Sequence, residues 1–254
     1  KRLMVDGKKA IPSQMLKNHQ KILYLRPDFL EPEVDSSFEK IYEDDYLVAF
    51  NKPGNLPTSP SGKYYKNTLV NLAKKKFGWE KMYTLHRLDR ETSGVILFAK
   101  QKKTAQKMAK MFRKKQARKI YKAVLENELP SEEVFVSMPI GPDPKSSIRI
   151  KQGVSQNGRP CSTHFRFLKN LNQRCLVEIS PQTGRTHQIR AHFSAIGHPV
   201  VGDNLYGGSS RSFDLKRPFL HSSLLAFKHP ISGDSLSFSS QVPKELSTIL
   251  DKVQ

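Results

Sequence analysis

The sequence predicts an α+β fold built on one large mixed, mostly antiparallel sheet flanked by helices. Two observations favour this class. Segments with a strand pattern and segments with a helical pattern interleave without the regular period of βαβ units. Neighbouring strand segments are joined by short turn signals, which are typical of antiparallel pairs. With 254 residues, the chain is long enough for one large domain, or for one domain and a small appendage.

The first 25 residues carry only short strand patterns. "LMVDGKKAI" reads as a hairpin with Asp6 and Gly7 at the turn, and "KILYL" as a further strand. Such a segment is too small to fold alone, so residues 1–25 are expected to be part of a small domain. Residues 26–37, "RPDFLEPEVDSS", carry two prolines and several acids and predict a linker. The main domain is then expected at 38–254.

The main domain alternates strand and helix patterns along its length. The predicted strands are 46–51, "MYTLH", "VILFA", "KIYKAVL", a pair within "STHFRFLKNLNQRCLVEISP", and a closing hairpin in "LLAFKHPISGDSLSFSS". The predicted helices are "TLVNLAKKKFG", which Gly78 ends, residues 102–115, and "THQIRAHFSAIGHP", which Gly197 ends. In the second helix, apolar residues recur at i, i+3, i+4 and i+7 from Ala105, and the opposite face is rich in lysine.

The charge of the chain points to an anionic partner. The formal net charge is +20, and residues 102–122 hold ten basic residues and no acid. This balance favours a nucleic acid first and an anionic membrane surface second, while no apolar run approaches the length of a membrane span. Cys161 and Cys175 lack the spacing of a zinc site or a disulfide framework, which fits a reducing, cytoplasmic environment.

A lone carboxylate, Asp89, lies between Arg87 and Arg90 in "LHRLDRETSG". Neighbouring cations favour its ionised form, which suits a nucleophile or a base and not a general acid. If this carboxylate is buried, it needs an arginine facing it, because an unpaired buried charge costs several kcal/mol. An ordinary turn aspartate explains the residues equally well at this point.

A second polar cluster follows Gly184, where Arg185, Thr186, His187, Gln188 and Arg190 crowd the start of a helix. Helix N-termini favour anions, although a polar helix start without function fits too. His187 and His192 are five residues apart, off the i, i+4 spacing of helical metal ligands, so no metal site is expected.

Two further features have less specific patterns. Tyr121 lies on a predicted strand beside the basic helix, where it could stack on a base or serve in the core. Glu43, Asp44 and Asp45, with Lys52 after the strand, vaguely resemble a metal-dependent nuclease. A solvated turn explains these acids better, because no further carboxylates complete a two-metal site.

Taken together, these segments resemble the RluA-type pseudouridine synthases. The resemblance lies in "YEDDYLVAFNKPGNLP", "HRLDRETSGVILFAK", "KIYKAV", "GRTHQIRAHFSAIGHPVVGD" and "RPFLHSSLLAFKHPISG", which follow in the family's order over about residues 38–243. Residues 1–25 are similar to the back half of an S4 RNA-binding domain. One departure is Ser59 before Pro60, where the family often has histidine.

The resemblance implies a pseudouridine synthase fold and conversion of uridine in RNA to pseudouridine without cofactor or metal. It implies that Asp89 is the required aspartate, that Arg190 is its ion-pair partner, and that Tyr121 stacks on the target base and takes part in removing the C5 proton. Arg87 is expected to fill the space left by the extruded nucleotide. Lys52, Arg185 and Gln188 are expected to contact the RNA.

The expected partner is therefore RNA and not a membrane, and the protein is expected to be a monomer. Large-subunit ribosomal RNA is the first expected substrate, because the S4-like segment is typical of that branch, and transfer RNA is the second. Structured RNA exposes its bases in loops and bulges, so the target uridine is expected there. A non-catalytic RNA-binding or ribosome-assembly protein with the same frame remains the main alternative.

Overall fold

The computed structural model describes residues 3–25, 29–129, 133–209 and 215–251. By internal contacts the chain divides into two compact units, Lys1–Pro32 and Glu33–Gln254. The boundary between the units falls inside the predicted linker at 26–37, of which residues 26–28 lie outside the described residues. The expected segments 1–25 and 38–254 likewise include residues that are not described, at 1–2, 130–132, 210–214 and 252–254.

The first unit contains a three-stranded antiparallel sheet. Its strands are β1 (Leu3–Val5), β2 (Lys8–Lys9) and β3 (Ile22–Tyr24), with β1 in the centre. Asp6 and Gly7 join β1 to β2 with φ of 49° and 78°, the left-handed conformation that an Asp-Gly hairpin turn adopts. The predicted hairpin is therefore confirmed.

The second unit holds the remaining helices and strands. In chain order they are β4 (Glu39–Glu43), β5 (Leu47–Lys52), α1 (Leu69–Phe77), β6 (Tyr83–Thr84), β7 (Ser93–Ala99), α2 (Lys102–Arg113), β8 (Ala117–Glu126), β9 (Glu133–Ser137), β10 (Ile140–Pro142), β11 (Gln152–Val154), β12 (Ser162–Asn170), β13 (Arg174–Pro181), α3 (Gln188–Ala195), β14 (Leu220–Lys228), β15 (Ser235–Ser239) and α4 (Lys244–Asp251). Within the described residues, none of the helices is both long enough and apolar enough to cross a membrane.

One ten-stranded sheet organises this unit. Eight strands follow the order β4-β5-β7-β14-β8-β13-β12-β9, while β15 pairs with β14 and β6 pairs with β7. Every pairing in the sheet is antiparallel except that of β7 with β14. The predicted α+β class with a mixed, mostly antiparallel sheet is confirmed.

The helices pack on apolar clusters formed by the sheet. Side chains of α1 and α3, such as Leu69 and Phe193, share one large cluster with alternate residues of the central strands. Met108 of α2 packs in a second cluster with other residues of β5 and β7. Leu246 and Ile249 of α4 pack in a third cluster with Val124 of β8.

Several predicted boundaries need correction. The "MYTLH" strand is reduced to the two residues of β6, and the lysine-rich helix ends at Arg113 instead of residue 115. Lys115 adopts the left-handed conformation, and the N–H of Gln116 donates to the carbonyl of Met111, which closes the helix end. The strands β4, β9, β10 and β11 and the helix α4 were not predicted from the sequence.

Candidate active site

The loop that carries Asp89 is bound to the connection between β5 and α1. The hydroxyl of Thr58 donates to the carbonyl of Leu88 at 2.9 Å and accepts the N–H of the same residue at 3.2 Å. The N–H of Leu56 donates to the carbonyl of Arg90 at 3.1 Å. These bonds hold the backbone on both sides of Asp89, so the carboxylate projects from a fixed loop.

Gly94 permits the close strand pairing that follows this loop. It adopts φ of +108°, and a Cβ at this position would lie 2.1 Å from the carbonyl oxygen of Ser222. Gly94 pairs with Ser222 in the parallel ladder between β7 and β14. Only glycine fits there, because any side chain would separate the two strands behind the loop that carries Asp89.

The buried side chain of Lys52 holds the same loop by hydrogen bonds to its backbone. The prediction that Lys52 contacts RNA is therefore wrong. Its side chain is 0% exposed, and its ammonium donates to the carbonyls of Pro53, Leu56 and Arg90 at 2.9, 2.8 and 3.2 Å. Burial, reinforced by the nearby charge of Arg217, lowers the pKa of Lys52 to about 7. A lysine in this place supports the loop and offers no group to RNA.

Helix α3 brings Arg190 to Asp89 from a distant part of the sequence. The Nη1 atom of Arg190 lies 3.4 Å from Oδ2 of Asp89. The other side of the guanidinium binds Asp203 in a two-pronged ion pair, with Nε to Oδ2 at 2.6 Å and Nη2 to Oδ1 at 2.8 Å. Burial alone would lower the pKa of Arg190, but the hydrogen bonds and charge of Asp203, together with the charge of Asp89, raise it.

The cation that a buried Asp89 requires is therefore present, and it is permanently charged. The side chain of Asp89 is 16% exposed and that of Arg190 is 5% exposed, so water screens this pair only weakly. Two carboxylates share one guanidinium. The carboxylate of Asp89 is thus partly open to solvent, while the guanidinium of Arg190 that faces it is enclosed.

His187 is the second nitrogen-bearing neighbour of Asp89. Its Nε2 lies 3.9 Å from Oδ2 of Asp89, and its Nδ1 lies 3.0 Å from the hydroxyl oxygen of Tyr206. Burial lowers the pKa of His187; the charge of Asp89 opposes this shift and that of Arg190 adds to it. The residue precedes α3 with φ of +54°, an uncommon conformation for a residue other than glycine.

The side chain of Gln188 is not available to RNA, and this expectation is corrected. Its side-chain oxygen accepts from the hydroxyl of Thr183 and from the N–H of Arg185, and its amide nitrogen donates to the carbonyl of Ser162 and the hydroxyl of Thr163. The residue is buried and its hydrogen-bonding capacity is used inside the protein. Gln188 fixes the turn that carries Arg185.

A cavity of about 730 Å³ joins the predicted catalytic residues. Asp89, Tyr121 and Arg190 all line it, although they come from a loop, from β8 and from α3. Tyr121 is almost fully buried; burial raises its pKa to about 12 despite a hydrogen bond with Ser222, so its hydroxyl keeps its proton at neutral pH. Such a space, open to solvent and partly aromatic, suits a nucleoside.

Apart from Arg190, the cavity lining holds several further basic residues, which we call the basic wall. Its cationic lining residues are Arg87, Arg113, Lys115, Arg118, Lys119 and Arg185. Arg87 and Arg185 are exposed at this wall, where the sequence analysis expected RNA contacts. Arg185 also donates to the carbonyl of Pro160 at 3.3 Å, which restricts its orientation. The charge surrounds an acidic centre and favours an anionic polymer over a small neutral substrate.

Asp203 and Tyr206 also support this site, and neither was predicted from the sequence. Asp203 is 0% exposed and binds Arg190, while the ring of Tyr206 lies under the guanidinium with 5.0 Å between the Cζ atom and the ring centroid. Asp203 ends the segment "GRTHQIRAHFSAIGHPVVGD". A buried arginine needs partners for all of its N–H groups, so a buried Arg190 could have indicated a second acid besides Asp89.

Glu43 and Asp44, two of the three acids considered for a nuclease, have structural partners. Glu43 binds Lys40 and Lys100 in ion pairs. The carboxylate of Asp44 accepts the N–H groups of Tyr46 and Leu47 at 2.7 and 2.6 Å. Among the residues that the structure describes, no three side chains of His, Cys, Asp or Glu are grouped to hold a metal ion. Asp44 therefore caps the turn before β5.

Comparison with known proteins identifies relatives of this chain. A family model described as RNA pseudouridylate synthase matches residues 46–195, which include Asp89, Tyr121 and Arg190. The ribosomal large subunit pseudouridine synthase D of Zymomonas mobilis is 33% identical over 242 residues, which cover 88% of this chain and 75% of that protein. The dual-specificity RNA pseudouridine synthase RluA of Pasteurella multocida is 34% identical over 210 residues, which cover 82% of this chain and 94% of that protein.

A solved structure shares the fold. The human RNA pseudouridylate synthase domain containing 1 superposes with a TM-score of 0.71 at 26% sequence identity, over 87% of this chain and 90% of that one. The similarity extends well beyond the motifs around the cavity.

Proposed function

This chain belongs to the RluA-type family of RNA pseudouridine synthases, and on that basis we propose that it isomerises uridine in large-subunit ribosomal RNA, with Asp89 as the reacting carboxylate. The observation that carries the proposal is the shared cavity, which brings Asp89, Arg190 and Tyr121 together from three separate parts of the chain. The name of the Zymomonas mobilis relative, a ribosomal large subunit synthase, supports the choice of RNA.

The reaction must break the N1–C1′ bond, turn the uracil and join C5 to C1′. N1 gains a proton and C5 loses one, so the atoms balance without an oxidant or a second substrate. Asp89 either attacks C1′ or takes a proton from C2′, and both routes need an ionised carboxylate. Arg190, 3.4 Å away and held by Asp203, supplies the positive charge that faces this carboxylate.

Access to the base requires that the uridine leave its stack. Extrusion costs a few kcal/mol, and stacking of a base on an aromatic ring returns about 1–3 kcal/mol. The ring of Tyr121 lines the cavity beside Asp89 and offers this stack. Arg87, exposed at the rim, occupies the gap left in the RNA.

The basic wall binds the phosphates around the target. Arg113, Lys115 and Arg118 extend from the end of α2 to the start of β8 and line the cavity. Phosphate contacts of this kind supply affinity and orientation without reading sequence. The choice of uridine then depends on which loops or bulges of the RNA can place a base in the cavity.

The N-terminal unit is proposed to be a further RNA contact related to the S4 domain. Its three-stranded sheet carries Lys8 and Lys9 on β2, and Lys17 and Lys21 lie on the connection to β3. Among the described residues 3–25, the only acidic residue is Asp6. An excess of basic residues on so small a sheet suits binding to phosphates.

The test is to map pseudouridine in unmodified RNA after incubation with the protein. Transcripts of large-subunit ribosomal RNA and of transfer RNA are treated separately, with Asp89→Asn as the control for background. The proposal predicts new pseudouridine at defined loop or bulge positions of the ribosomal transcript with the wild-type protein alone. Modification of transfer RNA only would reject the proposed substrate, and equal modification by Asp89→Asn would reject the role of Asp89.

A further inference from the structure

His187 has no assigned role, yet it lies between Asp89 and a fixed chain of hydrogen bonds. The backbone N–H of Gln152 donates to the hydroxyl oxygen of Tyr206 at 2.9 Å. That hydroxyl lies 3.0 Å from Nδ1 of His187, whose Nε2 lies 3.9 Å from Oδ2 of Asp89. This series of hydrogen bonds begins at the backbone N–H of Gln152 in β11, and an N–H group can only donate.

The order of donors and acceptors along this series of hydrogen bonds selects one tautomer of His187. If Nδ1 carried the proton, the lone pair of Nε2 would face the carboxylate of Asp89, which is electrostatically unfavourable. If Nε2 carries the proton, the hydroxyl of Tyr206 donates to Nδ1 and the Nε2–H faces Asp89. Each group then has a complementary neighbour.

The local structure holds the imidazole in this place. His187 adopts the left-handed conformation, with φ of +54° and ψ of 18°, at the residue before α3. Uncommon backbone conformations of this kind cost free energy and concentrate at functional sites. The ring of Tyr206 packs edge-on against the imidazole with centroids 5.7 Å apart, so the imidazole is fixed from the side as well.

We propose that His187 is a positioning residue that acts as a neutral donor, its Nε2–H orienting Oδ2 of Asp89 together with Arg190. The observed 3.9 Å is too long for a direct hydrogen bond. Such contacts in catalytic sites often tighten when substrate fills the cavity. Burial, which lowers the pKa of His187, helps to keep the imidazole neutral. The inference rests on the proposed role of Asp89.

Two variants separate this role from a structural one. His187→Asn removes the imidazole, and asparagine tolerates the left-handed backbone. Tyr206→Phe keeps the ring that packs against His187 and Arg190 and removes only the hydroxyl. The matched control is His198→Asn, just beyond the other end of α3, where the imidazole faces the carbonyl of Glu126 outside the cavity.

The first measurement is steady-state kinetics on the RNA substrate. His187→Asn is expected to lower kcat by about 10–100-fold, the cost of a misplaced reacting group, with little change in KM. Tyr206→Phe should also lower kcat, but by a smaller factor. His198→Asn should have the kcat and KM of the wild-type protein. A His187→Asn variant with wild-type kcat, or with a raised KM alone, would overturn the proposal.

The second measurement is independent of activity. In ¹⁵N-histidine NMR spectra at pH 7, the signals that disappear in His187→Asn are expected to show the neutral Nε2–H tautomer in the wild-type protein. In Tyr206→Phe the carboxylate of Asp89 still faces Nε2, so the Nε2–H tautomer should remain the major form. An Nδ1–H tautomer or a charged ring in the wild-type protein would overturn the inference. Full activity of Asp89→Asn would instead reject the proposed function, and the tautomer result would stand.

Discussion

Arg190 binds Asp203 more closely than it binds Asp89. Two nitrogen atoms of the guanidinium contact the carboxylate of Asp203 at 2.6 and 2.8 Å, whereas a single nitrogen contacts Asp89 at 3.4 Å. Asp203 thus fixes the orientation of Arg190, and Asp89 receives the remaining N–H donor. The looser contact leaves Asp89 able to move toward a substrate without losing its counterion.

Replacement of Asp203 by asparagine should therefore reduce both stability and activity. The variant leaves a buried guanidinium without its main counterion, which typically costs about 3–5 kcal/mol. Without that anchor, Arg190 should draw closer to Asp89 and compete with the substrate for the carboxylate. Urea unfolding measures the first effect and the rate of pseudouridine formation measures the second.

Glu245→Gln provides the control for this prediction. Glu245 also binds a buried arginine, Arg217, but its own side chain is 58% exposed. Arg217 keeps its hydrogen bonds to the carbonyl of Glu91 and the hydroxyl of Ser93. Because these bonds remain and water reaches Glu245, this variant should lose less stability than Asp203→Asn. If Asp203→Asn is no less stable than Glu245→Gln, the buried pair does not have the anchoring role described here.

Tyr121 should bind the extruded base through its ring. Tyr121→Leu removes the stacking surface, worth about 1–3 kcal/mol, and should weaken binding of a target RNA by about 10–100-fold. Tyr121→Phe keeps the ring and should bind nearly as wild type. Fluorescence anisotropy with a short RNA that contains the target uridine measures both. Equal loss in the two variants would mean that the hydroxyl, and not the ring, determines affinity.

The basic wall should make RNA binding depend steeply on salt. If it neutralises six or more phosphates, affinity should fall by roughly a thousandfold between 50 and 200 mM salt. Lys115→Gln, within the cavity wall, should reduce the slope of log K against log salt by about 0.7–0.9. Lys75→Gln on α1, whose side chain does not line the cavity, should leave the slope unchanged. Identical slopes in wild type and Lys115→Gln would refute a phosphate contact by Lys115.

Stability should decline in acid because of buried histidine. Burial lowers the pKa of His221 from 6.5 to about 4. Between these values the unfolded chain binds the proton more readily than the folded protein does, so the free energy of unfolding falls as pH drops from about 6.5 to 4. Above pH 6.5 both states are neutral and the effect disappears.

His221→Gln should flatten this part of the stability curve. In the wild-type protein the two ring nitrogens face the hydroxyl of Ser93 and the carbonyl of Ser240 at 2.9 and 3.0 Å. An amide can accept from the first and donate to the second without titrating. Urea unfolding at a series of pH values compares the two proteins. Parallel curves from pH 4 to 6.5 would contradict the assignment to His221.

The fold was predictable where local chemistry determines the chain. Thr68 caps α1 through its hydroxyl, and Gly78 ends it with φ of 71°, both signals that can be read from sequence. By contrast, β4 has mostly exposed residues and exists because it pairs with β5. Strands held by a distant partner leave little local pattern, which explains why β4 and β9 were missed.

The sequence singled out the acid, the arginine and the tyrosine that line one cavity in the structure, but not the partners of the arginine. Asp89 stands out because cations flank it. Asp203 lies among apolar residues and turn residues, and its importance appears only when Arg190 is seen to be enclosed. Lys52 misled for a related reason, because sequence cannot tell a lysine that binds RNA from one that binds three carbonyls inside the protein.

The most direct test of the account is release of tritium from RNA that carries C5-tritiated uridine. The wild-type protein should release the label as C5 exchanges its proton for the new bond to C1′. Asp89→Asn, which keeps the size of the side chain and removes its charge, should bind the RNA and release no label above background. Release by Asp89→Asn at the wild-type rate would contradict the claim that an ionised Asp89, paired with Arg190, carries out the reaction.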